Sequence, residues 1–258
     1  MNQQAFAMIG DGALAQRRRA PETKNLLLES LSADDFALLA PSLERVPFRI
    51  GEVLARAGTP ISNVFFFEGA IAGVLDSLEG DRRFAVGLIG REGFAGKALL
   101  LGDDRWPYDI VMRAEPGDLL RCPADALLAA FERSETLRLA LLRYVHVFML
   151  QMGRTIVSSL AHSIERRMAR WILLYHDRVR GDDICMTHEE FRLMMGVRRA
   201  SITDALHRLE EAQAVWARRG RITVRDRAKL IALAGDTYGP AERDYRRLIS
   251  PHFAHDEG

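Results

Sequence analysis

Cysteine is nearly absent from this chain of 258 residues: Cys122 and Cys185 are the only two. Two thiols cannot build a disulfide framework, nor hold a four-cysteine metal cluster without other ligands, so a reducing, cytoplasmic setting is expected. Lysine is scarce as well, confined to Lys24, Lys97 and Lys229 among 36 basic residues, and nearly every positive charge is therefore a guanidinium. No apolar run approaches the roughly 18 residues that span a bilayer. Arg17, Arg18 and Arg19 follow the weakly apolar start instead of preceding it, the wrong order for a secretory signal, so no membrane partner is expected. What remains is ordinary for a globular protein: 48% hydrophobic residues are enough for a core, and 28% charged residues with a net charge of +1 impose no strong field. The length suits two domains better than one.

The texture of the chain changes along its length. Residues 1–25 mix Gly, Gln and Arg without periodicity and read as a flexible arm. Ser32 with Asp35 then caps a short helix bearing Phe36, Leu38 and Leu39. Short apolar runs follow at 53–54, 64–67, 71–75, 84–89, 110–112 and 119–120. Turns at Gly51, Gly58, Gly69, Gly80 and Gly117 separate them, which predicts an antiparallel β-roll over 26–134. Gly87, Gly90, Gly93 and Gly96 recur every third residue; without a βαβ unit they make turns, not a dinucleotide fingerprint. From Glu135 the period becomes helical through 162. Leu142, Val145, Met149, Met152 and Ile156 repeat at threes and fours, and this line is expected to be the seam of a homodimer. A second helix over 163–176 leads into the last unit, expected to end near 235 with a tail over 236–258.

That unit carries the most specific pattern. Thr187 and Glu190 make a predicted capping box, and Phe191, Met194 and Met195 form the buried stripe of the helix they open. Gly196 permits a sharp turn, and a second helix starts at Val197, Arg198 and Arg199. Ile202, Leu206 and Leu209 face its core, which leaves Arg198, Arg199, Ala200, Ser201, Thr203, Asp204, His207 and Arg208 as candidate DNA-reading residues. Two short strands, 215–217 and 222–224, are joined across Arg218, Arg219 and Arg221, whose guanidinium groups suit phosphate oxygens. Residues 186–230 hold ten Arg and Lys against six Asp and Glu, so the positive excess sits where a phosphate backbone would. The order is that of a winged helix-turn-helix, with double-stranded DNA as its partner. A sensor module whose last unit contacts protein is the alternative. An enzyme is not expected: His188-Glu189 lacks the second histidine of a zinc protease helix, and no metal-ligand cluster or Ser-His-Asp spacing stands out.

An α+β chain with a β-roll, a long helix and a C-terminal winged helix-turn-helix resembles the Crp/Fnr superfamily of bacterial transcription regulators. The resemblance covers 26–234 and rests on Gly51-Glu52-Val53-Leu54, 64–69, 90–96, 164–174 and 186–224. It implies a small effector in the roll, dimerisation through the long helix, a reading helix in the major groove of a palindromic operator, and RNA polymerase as a further partner. By the same resemblance, the ribose and phosphate ligands of cyclic-AMP-binding members fall on Phe94, after Gly93, and on Tyr108 and Asp109, while the adenine contacts fall on Gly153 and Arg154. An aspartate facing a cyclic phosphate repels it, so cyclic AMP is not expected as the effector. The cysteines of the oxygen-sensing members are also missing, and no iron–sulfur cluster is expected. For a haem, as bound by other members, the long helix offers His146, although a lone histidine there is more often packed or solvated. The chain thus resembles a subgroup that lacks both ligand sets, with Gly93, Phe94, Tyr108, Asp109 and Arg154 as the candidate effector pocket and the effector itself unnamed.

Overall fold

The computed structural model describes residues 23–78, 82–114 and 118–253. Two short helices open it, α1 (Leu26–Glu29) and α2 (Ala33–Leu39). Asn25 caps the first by accepting from Leu28 N, and Ser32 caps the second by accepting from Asp35 N. Eight strands follow: β1 (Glu44–Val46), β2 (Val53–Ala55), β3 (Asn63–Phe67), β4 (Ile71–Leu78), β5 (Arg82–Ile89), β6 (Phe94–Ala95), β7 (Asp109–Ala114) and β8 (Leu119–Pro123). They pair antiparallel into two four-stranded sheets, β1-β8-β3-β6 and β2-β7-β4-β5. Six of the eight were expected from apolar runs. The other two, β1 and β6, have three and two residues, too few for alternation to register. Val64, Phe66, Phe94, Met112 and Leu119 turn inward and are fully buried. The expected turn residues Gly80 and Gly117 lie outside the described residues, as do Arg17, Arg18 and Arg19 of the N-terminal arm.

Helix α3 (Ala124–Arg133) leads to α4 (Glu135–Ala161), whose 27 residues span about 40 Å at 1.5 Å per residue. Its inner face is a line of threes and fours, Leu137, Leu141, Tyr144, Phe148, Gln151, Thr155 and Ser158, all buried. The expected seam is therefore corrected at Val145. Val145 is only 7% exposed and belongs to the chain's own core, and Leu142 and Met152 are half-buried against it. Met149 and Ile156 are exposed, and they share an outward line with Leu142, His146, Gly153 and Leu160. Both lines have coiled-coil spacing, so periodicity alone could not separate them.

The remaining elements are α5 (Ile164–His176), β9 (Asp183–Cys185), α6 (His188–Met195), α7 (Arg199–Glu211), β10 (Val215–Arg218), β11 (Arg221–Val224), α8 (Arg227–Ala234) and α9 (Pro240–Leu248). Residues 236–258 were expected to be a tail. Instead α9 packs along α4, with Tyr245 fully buried and Phe253 3% exposed in the cluster that fills the roll. Neither does the start of the chain hang free where it is described: Asn25 Nδ2 donates to Phe67 O and Gly93 O, both at 2.8 Å. Among the described residues no helix is long and apolar enough to cross a membrane.

A buried ion pair joins the two halves. Arg178, just past α5, donates through Nε and Nη2 to Glu92 Oε1 at 2.9 and 2.7 Å, and through Nη1 to Leu174 O. Glu92 also accepts from Gly90 N, and the Tyr245 hydroxyl donates to Glu92 O at 2.7 Å. Removing one charge leaves the other buried and unpaired, which costs about 3–5 kcal/mol. Glu92→Gln is expected to lose stability on that scale in urea unfolding, and Tyr245→Phe about 1 kcal/mol. A Glu92→Gln protein as stable as the parent would show that the pair is dispensable.

Candidate nucleic-acid interface

Helix α6 starts at Thr187, whose hydroxyl accepts from Glu190 N at 3.2 Å. Only this half of the expected capping box forms. The Glu190 carboxylate turns inward instead, accepting from the Tyr175 hydroxyl at 3.2 Å and lying 3.4 Å from Arg113 of β7. Burial raises its pKa, with Arg113 opposing. The sequence could not reveal this, since Arg113 is distant along the chain. After Met195 the backbone turns at Gly196, φ +65°, where a Cβ would sit 2.8 Å from Phe84 of β5. Arg198 caps α7 through its extended backbone (φ −70°, ψ 151°), with no side-chain bond.

Helix α7 buries Ile202, Ala205, Leu206 and Leu209 against α5 and α6, as its spacing predicts. Arg198, Arg199, Ala200, Asp204, His207 and Arg208 are exposed, while Ser201 and Thr203 are half-buried. The Thr203 hydroxyl donates back to Arg199 O at 3.2 Å, which occupies its proton inside the helix. Arg208 pairs with Glu165 of α5. His207 lies 3.5 Å from Glu210, one turn along. Among the described residues Arg198 and Arg199 make no ion pair.

The wing is β10 and β11 in register Arg218↔Arg221, closed by Arg219 and by Gly220 at φ +74°. A third strand that sequence reading missed, β9, pairs with β11. The three wing arginines do not share one setting. Arg218 lies 3.8 Å over the Trp216 ring, and Arg221 pairs with Asp183 at 3.0 Å. Arg219 alone stands at the tip, with no ion pair among the described residues. A cleft of about 960 Å³ opens between wing and reader, lined by Thr187, His188, Glu189, Arg192, Arg199, Arg219 and Gly220. Arg192 is held at its rim by Glu189 at 2.7 Å. The cleft thus presents Arg199 from the helix and Arg219 from the hairpin on one surface.

The expected effector residues do not converge. Gly93 is packed so closely on α4 that a Cβ would lie 1.8 Å from Tyr144 Cζ. Phe94 is fully buried, its ring centroid 5.2 Å from Phe66 and 5.4 Å from Tyr144, and so it fills the core. Asp109 is buried and accepts from Ala57 N at 2.9 Å. Arg154 is half-buried on α4, and His146 is exposed on its outward line. Tyr108 borders a cavity of ligand size, whose other lining includes the unforeseen Lys97. Among the described residues no cluster could hold a metal ion.

Residues 166–233 match the Crp-like helix-turn-helix domain. The fold matches FixK2 from Bradyrhizobium japonicum at a TM-score of 0.64 and 12% identity, over 75% of this chain and 98% of that one. A CRP-family transcriptional regulator from Thermus thermophilus matches at 0.62 and 17%, over 74% and 96%. The c-di-GMP responsive global regulator CLP of Xanthomonas campestris matches at 0.60 and 15%, over 75% and 98%. Residues 166–233 are thus a Crp-like helix-turn-helix domain, set in a chain whose fold is that of solved Crp/Fnr regulators. Among curated proteins none matches it. At these identities the structural likeness is one of fold, and the helix-turn-helix match covers residues 166–233 alone. A helix-turn-helix of this kind is a DNA-binding unit.

Gly196 sits where the reader meets the roll, and its left-handed backbone disfavours any Cβ. Gly196→Ala should cost about 1–3 kcal/mol from backbone strain, with Phe84 forced to move. Thermal unfolding checks it, and an unshifted midpoint would mean that the turn relaxes freely.

Proposed function

We propose that this protein is a transcription regulator, working as a homodimer that reads a palindromic operator with α7 in the major groove. The observation that carries the reading is the pairing of unneutralised Arg199 and Arg219 across one open cleft. A helix N-terminus and a hairpin tip offered together suit a base edge and its flanking phosphates. Arg199 is assigned to guanine O6 and N7, Ala200 to a thymine methyl, and Asp204 to a cytosine amino group. Arg198, Ser201, Thr203 and His207 flank these contacts. Arg208, Arg218 and Arg221 already have partners in the protein, and exposed pairs of this kind are weak enough to exchange for phosphate. The half-sites should lie about one helical turn, ~34 Å, apart. A cytoplasmic location accompanies this function.

Dimerisation is assigned to the outward line of α4. Met149, Ile156 and Leu160 are 63%, 59% and 83% exposed in one chain. Apolar side chains exposed at threes and fours support a coiled-coil partner, and a second copy supplies the second half-site contact.

Fragments selected from random DNA supply the operator. On it, Arg199→Ala should cost about 1–3 kcal/mol and relax preference at one base position. Arg219→Ala should weaken all sequences alike and reduce the salt slope by about one phosphate contact. If both variants lost sequence preference equally, the two roles would be wrongly assigned. A protein with no salt-dependent DNA affinity would favour the protein-contacting alternative.

Ile156→Glu tests the seam. A charge at its centre costs several kcal/mol when buried unpaired, so the variant should sediment as a monomer and lose the operator while circular dichroism stays unchanged. A dimeric Ile156→Glu protein would move the interface off this line.

A further inference from the structure

Between the roll and α4 lies a cavity of about 350 Å³, within the range that small molecules occupy. Val74 and Ile110 line it from the sheet, Trp106 from the loop before β7, and Val145, Phe148 and Met152 from α4. The residues expected to hold an effector are elsewhere, apart from Tyr108. One basic group enters this apolar space, the Lys97 amine. Its Nζ lies 3.7 Å from the centre of the Phe148 ring and 5.4 Å from that of Tyr144. Its hydrogen bond goes to Phe94 O at a long 3.3 Å, and among the described residues no carboxylate pairs with it. Asp103, the acid on the lining, is exposed and accepts from Arg105 N.

An amine so placed is costly to charge. Burial draws its pKa down to about 7, with Glu92 pulling the other way, so near neutrality the group is poised between its two forms. An entering anion would stabilise the ammonium. A single negative charge is matched, whereas a phosphate would need more donors than this lining supplies.

We infer that the cavity binds a small apolar monocarboxylic acid, its carboxylate paired with Lys97 and its hydrocarbon part against Trp106, Val145 and Phe148. Met149 and Met152 also border the space, so the ligand would touch α4 beside its outward line. That regulatory consequence rests on the dimeric reading above; the binding itself does not.

Calorimetry on the full chain with octanoate tests the site, with 1-octanol as the uncharged comparison. Octanoate is expected to bind once per chain, and affinity should rise about fourfold per methylene from butanoate, since each buried methylene contributes ~0.8 kcal/mol. Lys97→Met should weaken octanoate at least tenfold and leave octanol unchanged. Ala98→Phe, which fills the cavity but keeps the amine, should abolish octanoate binding. The proposal is overturned if the parent protein shows no saturable octanoate binding, if octanol binds as tightly, or if Lys97→Met binds octanoate like the parent. Should Lys97→Met fail to fold, octanoate binding retained in Ala98→Phe overturns it equally. Operator affinity is measured without ligand, so the DNA reading stands or falls separately.

Discussion

The arrangement of the molecule depends on one buried ion pair, Glu92 with Arg178. Glu92 sits in the glycine-rich turn that closes the roll, and Arg178 follows the helix on which the DNA-reading unit is built. Taking both charges out of water is unfavourable, and the pair persists because its geometry is nearly saturated: the guanidinium donates to one carboxylate and one carbonyl oxygen, and the carboxylate also accepts from Gly90 N. Such a junction tolerates little rotation. Arg170 acts similarly one layer away, donating to Thr237 O and Gln151 O, while Gln151 accepts from Leu88 N. Sheet, long helix and reader are tied by guanidinium groups with fixed directions, as the near absence of lysine suits.

Helix α4 answers two demands at once. Its inner line packs on the roll and its outer line is left apolar in solvent. The cavity lies where the faces meet, with Met149 both exposed and bordering it. A change in that cavity would be felt at the outer line within one side chain's length.

The reader was the most legible part in sequence, because its signals are local. Thr187, Gly196 and the buried stripe of α7 declare themselves within a few residues of one another. What escaped was set by distant partners. Glu190 reads as a cap residue until Arg113 and Tyr175 are brought beside it, and Arg208 looks available until Glu165 arrives. The expected α4 seam mixed two lines because both carry apolar residues, and only the roll decides that Val145 faces in. Phe94 was expected in the effector pocket, and nothing local shows that an aromatic there packs on Phe66 and Tyr144 in the core. A signal for Lys97 did exist: a lysine in an apolar stretch, in a chain that otherwise uses arginine, is out of pattern.

The segment around α9 has a consequence for biosynthesis. Tyr245 and Phe253 belong to the cluster that fills the roll, and Tyr245 reaches across 153 positions to Glu92. A domain whose strands emerge early from the ribosome therefore waits for α9 before its interior is complete. Contacts of such separation are slow to form. The nascent roll leaves the ribosome with an apolar gap that only these late residues can fill, and a chain cut short by a stop codon before α9 would carry that gap permanently.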